Sequence, residues 1–165
     1  MAQWQSKSAI GADFYGVDTT QEFGLGTIVT GEDKDEDTYN GSGEFMYVQG
    51  VASAAAGSVL LVDPADYTTS LAVANDVGPV GAALAAIVAN TYGWIQVQGK
   101  ATCKVAASFA AGTPAYLTAT GGTLDDAVVA GDEVFGAVGL SAIDTPTTGQ
   151  AYVYLNRSFV TNASN

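Results

Sequence analysis

The sequence predicts an all-β protein, a small β-barrel or sandwich built from two related halves and preceded by an extended N-terminal arm. Three observations point there. From Glu44 onward, short runs rich in Val, Ile, Tyr and Thr are separated by Gly, Pro, Asn and Asp, the pattern of strands joined by turns. No stretch sustains a helical period: the alanine-rich segments 51–56, 84–89 and 106–111 each stop at a glycine or an Asn-Thr pair, too soon to nucleate a helix. One order of elements also occurs twice: strand, glycine-centred turn, strand, long loop, glycine-flanked strand, long loop, closing strand.

Residues 1–26 read as the arm. Trp4, Ile10, Phe14, Tyr15, Phe23 and Leu25 follow no steady period and are punctuated by Gly11, Gly16, Gly24 and Gly26. Such a segment is too dispersed to build a core and too apolar to be a solubilising tail, so it needs something to lie against. Residues 27–43 hold a short apolar strand, Thr27-Ile28-Val29-Thr30, and then the acidic run Glu32-Asp33-Lys34-Asp35-Glu36-Asp37. These carboxylates could attract a hard cation, but no glycine stands where an EF-hand loop must turn, and a solvated acidic loop is expected. Residues 44–160 form the main domain, with strands at Phe45-Met46-Tyr47-Val48, Val59-Leu60-Leu61-Val62, Trp94-Ile95-Gln96-Val97, Ala115-Tyr116-Leu117-Thr118 and Tyr152-Val153-Tyr154-Leu155. Residues 161–165 are a short tail.

The duplication rests on glycine spacing. Val48-Gln49-Gly50-Val51-Ala52 is matched with Val97-Gln98-Gly99-Lys100-Ala101, Gly57 with Gly112, Gly81 with Gly139, and Gly93 with Gly149. A four-strand unit alone leaves its edges and one apolar face open, and pairing two units closes them.

Composition removes most chemistry. The chain has 165 residues, enough for one sizeable core, and carries 17 acids against five Lys and Arg, for a net charge of −12. That balance provides no basic stripe for phosphates, so nucleic acid is not an expected partner. Twelve of the acids lie in residues 1–76 and none between Asp76 and Asp125. With no histidine, the Ser-His-Asp and Cys-His arrangements are impossible and the commonest nitrogen ligand for transition metals is missing. Cys103, between Thr102 and Lys104, is expected to be a structural thiol. The pairs Asp125-Asp126 and Asp132-Glu133 are the only glycosidase-like carboxylates of note, and are expected to be solvated loop acids. No P-loop is present. We therefore expect neither an enzyme nor a bound metal or cofactor. The longest apolar stretch, residues 77–89, is too short for a membrane span, and no signal-peptide core precedes the arm, so synthesis in the cytoplasm is expected. Only 13% of residues are charged, and a surface so poor in charge hints at coverage by copies of the chain or by a partner.

The stretch from Val97-Gln98-Gly99-Lys100-Ala101 through Phe109-Ala110-Ala111-Gly112-Thr113-Pro114-Ala115-Tyr116-Leu117, with Gly136-Ala137-Val138-Gly139 and Gly149-Gln150-Ala151-Tyr152-Val153-Tyr154-Leu155-Asn156, resembles the head decoration, or capsid cement, proteins of tailed bacteriophages. The similarity spans about residues 44–157 and lies in a glycine-spaced β pattern. It implies a small β-barrel protein, a homotrimer, seated on the outer capsid surface at three-fold or quasi-three-fold positions. There it would clamp neighbouring major capsid proteins, its partners besides copies of itself. In that setting Trp4, Ile10, Phe14, Tyr15, Phe23 and Leu25 would be the capsid-binding anchors, and the protein, made in the host cytoplasm, would reside on the virion. The competing class is a virion-surface adhesin or receptor-binding module with Tyr67, Tyr92 and Trp94 as aromatic platforms.

Overall fold

The computed structural model describes residues 4–6, 11–33 and 41–162, the first three as backbone alone. Among them are twelve strands and no helix. In chain order they are β1 (Trp4–Ser6), β2 (Val17–Asp18), β3 (Ile28–Asp33), β4 (Ser42–Gln49), β5 (Val59–Val62) and β6 (Thr69–Leu71). There follow β7 (Gly78–Ala83), β8 (Tyr92–Lys104), β9 (Pro114–Leu117), β10 (Leu124–Asp125), β11 (Glu133–Gly139) and β12 (Gln150–Val160). All ladders between them are antiparallel.

The two related halves are present as pairing patterns. One unit has the order β6-β5-β7-β8-β4 and the other β10-β9-β11-β12-β8, so the long β8 closes the first unit and opens the second. The registers agree residue by residue. Val62 faces Thr69 as Leu117 faces Leu124. Ala83 faces Ile95 as Gly139 faces Val153. Tyr47 faces Trp94 as Thr102 faces Tyr152. The turns repeat as well: Ser53 and Ser108 both have positive φ, at 67° and 71°. Gly57 and Gly112, at 82° and 81°, each donate an N–H at 2.8 Å, to the carbonyls of Ala83 and Gly139. Of the glycine matches expected, Gly57 with Gly112 is the structural one. The others slip: Gly139 corresponds to Ala83, Gly93 to Ala151, and Gly50 to Val105.

The barrel alternative is corrected. The sheet does not close, and the layers pack as an open sandwich. Each unit has its own apolar cluster. Val48, Leu60, Val62, Ile87, Ile95 and Val97 line the first; Ala101, Cys103, Phe109, Leu117, Val153 and Leu155 line the second. Val59, Val80 and Ala82, which point to the other side of the first unit, pack into the second cluster and join the halves. The end of β12 adds a direct seam, with Phe159 and Val160 opposite Pro79 and Gly78 of β7.

β8 serves both units by bending. A bulge falls where Glu44 and Phe45 face Gln98 and Gln96, and Gly99 beside it has φ +101°, a conformation that a side chain would strain. A Cβ there would stand 2.7 Å from the Ser42 carbonyl oxygen. The buried Gln96 amide donates to the carbonyls of Gln98 at 3.0 Å and Lys100 at 3.3 Å, holding the bend from within.

Candidate functional site

The arm lies on its own chain. β2 pairs with β8, Val17 opposite Gly93, and the backbone of β1 pairs with β3, Trp4 opposite Asp33. Phe14, 1% exposed, stacks on Phe45 at 4.1 Å between ring centroids and meets Trp94 edge-on at 5.6 Å. Phe23 sits edge-on to Tyr47 at 5.3 Å and to Trp94 at 5.2 Å, and Leu25 packs on the same cluster. The Tyr47 hydroxyl donates to Asp18 at 2.6 Å and accepts the Glu22 N–H, tying two arm residues to β4. Of the six expected anchors, Phe14 is buried and Phe23 and Leu25 are half-buried on the outer face of the first unit. Tyr15 is 39% exposed, and Ile10 lies outside the described residues.

Several acids and the cysteine also take defined places. Asp132, expected to be solvated, is 3% exposed and accepts the Asn75 N–H at 2.7 Å. Asp126 accepts the Ala110 N–H at 3.0 Å, so these carboxylates pin loops to the body. Asp33 is buried at the end of β3, and residues 34–37 of the acidic run lie outside the described ones. Cys103 points into the second core while its neighbour Lys104 points outward on the strand; burial pushes the thiol up to about 12. No cluster of potential metal ligands occurs among the described residues, nor is any helix there long and apolar enough to cross a membrane.

Two surface features remain. At the junction of the units a cavity of about 340 Å³ opens between β8, β12, the end of β7 and the arm. Its lining includes the small residues Gly57, Ala82 and Ala83, and Gln96, Lys100, Thr102 and Gln150 are among its polar groups. The Lys100 ammonium rests over the Tyr152 ring, 4.0 Å from the centroid. The second feature is the outward face of β11 and β12. Phe135 lies opposite Phe159 and Val138 opposite Tyr154, with Leu140 just beyond, all between 41% and 46% exposed. The two strands carry one acid and one base, Glu133 and Arg157, and Arg157 is bound to Glu44 at 2.7 Å.

Neither feature was read from the sequence. The alternation Val134, Ala137, Gly139 inward against Phe135, Val138, Leu140 outward marks a strand apolar on both faces, a signal available in the run Val134-Phe135-Gly136-Ala137-Val138. The cavity had none, because its walls come from five separate segments. Comparison of the chain with protein-family models, curated proteins and solved structures finds no match.

Proposed function

We propose that the protein is a structural decoration protein of a tailed-bacteriophage head, attaching to the outer capsid surface as a homotrimer and reinforcing contacts between major capsid proteins. The observation that carries this reading is the exposed face of β11 and β12, where five large apolar side chains cluster almost without formal charge. The glycine-spaced resemblance supplies the assembly. Avidity supplies the tightness: once one subunit of a trimer is seated, further contacts are intramolecular, so modest interfaces sum to firm attachment. Trp94, expected as a platform in the adhesin reading, is 1% exposed beneath the arm, which disfavours that alternative.

The test mixes purified protein with undecorated heads of the phage that encodes it, followed by sedimentation and electron cryo-microscopy. Attachment as trimers on the shell exterior, with the β11–β12 face buried against protein, is the expected result. A protein that stays in the supernatant, or binds with that face open to solvent, overturns the reading.

A further inference from the structure

The cavity between the units corresponds to a place that this chain fills elsewhere with its own polypeptide. In the first unit, the diagonal between Phe45 and Trp94 on the outer face of β4 and β8 is covered by Phe14, carried on the Asp13–Gly16 turn of the arm. The matching registers place Lys100 and Tyr152 on the equivalent diagonal of the second unit. There the cavity stands in place of Phe14, and Lys100 stands in place of Phe45. We infer that this cavity binds a peptide segment of another protein, through an acidic side chain that takes the place of Phe14.

Three features define the ligand. Lys100 makes no ion pair among the described residues; its ammonium rests over the Tyr152 ring, a contact that uses no hydrogen-bond acceptor and so leaves its N–H donors for a carboxylate. It is a cation on a chain of net charge −12, so local complementarity and not overall attraction selects the acid. Gln96 is 2% exposed and lines the cavity; its amide nitrogen is engaged by two carbonyls, while its side-chain oxygen has no donor among the described residues. An orphaned buried acceptor calls for a donor, and a peptide N–H supplies one where a bare inorganic anion would not. The small residues Gly57, Ala82 and Ala83 in the lining leave room for backbone. Lys104 and Thr102 continue the same side of β8, giving an extended strand of polar groups along which the segment can run.

The owner of the segment rests on the decoration reading, in which it is a shell subunit; the chemistry of the cavity does not. The experiment titrates isotope-labelled full-length protein with Ac-Phe-Asp-Leu-NH2, followed by amide chemical shifts. Saturable shifts centred on Gly57, Lys100 and Tyr152 are expected, with the Asn counterpart of the peptide binding about fivefold or more weakly. Lys100→Met should erase that preference and Lys100→Arg should retain it, each with an otherwise unchanged spectrum that shows the fold intact. Equal binding of the Asp and Asn peptides, absence of saturable shifts at the cavity, or the same shifts on concentrating the protein alone would overturn the inference. A silent cavity in a protein that still attaches to heads removes this site and leaves the decoration reading standing.

Discussion

Tyr47 carries a disproportionate share of the arm's attachment, because among the described residues its hydroxyl is satisfied by arm residues alone, Asp18 and Glu22. Tyr47→Phe keeps the ring contacts but loses a hydrogen bond to a carboxylate, and should lower stability by about 2 kcal/mol in urea denaturation. The pH dependence has a defined sign. Burial, with the hydrogen bond to Asp18 second, pushes the phenol up to about 12 from its ordinary 10. The fold thus favours the protonated form, so the contribution of Tyr47 is complete below pH 10 and declines as pH rises towards about 12. The stability gap between wild type and Tyr47→Phe should narrow over that interval, and a gap that widens would contradict the assignment. Phe14→Ala removes a ring held between two aromatics and should cost about 3 kcal/mol while opening the arm to proteases. Cys103 offers a control at the same scale: with its thiol buried and raised to about 12, labelling by a thiol reagent at pH 8 should follow unfolding and not precede it.

Among the elements, the bend in β8 is the position where a single atom matters most. Gly99→Ala combines φ +101° with a Cβ 2.7 Å from the Ser42 oxygen, and should destabilise by about 3 kcal/mol, measured as a shift of the denaturation midpoint. Gly112→Ala has φ +81° but nothing within 4 Å, so only the conformational cost of about 1 kcal/mol remains. Equal losses would mean that the approach of β4 to the bend is softer than its geometry indicates. Much of this architecture was legible in the strand runs, the turn glycines and the duplication. Register was not: the mismatched glycines slip by even numbers of residues, and a shift by two leaves every side chain on its own face, so spacing alone does not tell such registers apart. The fate of the arm was hidden for a related reason. Its aromatics have no period of their own, and the clue lies instead in β4, where Phe45-Met46-Tyr47-Val48 is apolar without alternation. Met46 and Val48 face the first core, while Phe45 and Tyr47 need a second cover, which Phe14 and Phe23 provide.

For the whole molecule, charge and apolar surface make opposite demands on assembly. Each copy carries −12, so copies brought together repel one another at low ionic strength. In the proposed trimer, the face formed by Phe135, Val138, Leu140, Tyr154 and Phe159 would let them meet where little formal charge is buried, with a non-directional drive that scales with the area covered. Salt therefore distinguishes this interface from one built on ion pairs. Raising ionic strength from about 0.05 M to about 0.5 M shortens the screening length severalfold, relieving the repulsion while leaving apolar burial intact. Self-association should then tighten with salt, moving towards three times the 16.7 kDa chain mass in sedimentation at a given protein concentration. Tyr154→Glu places a carboxylate in the middle of the exposed side of the ladder, opposite Val138 and with no like charge facing it, and should hold the protein monomeric at both salt concentrations. Association that weakens as salt rises would instead assign the subunit contact to charged groups, and the β11–β12 face would lose its place between copies.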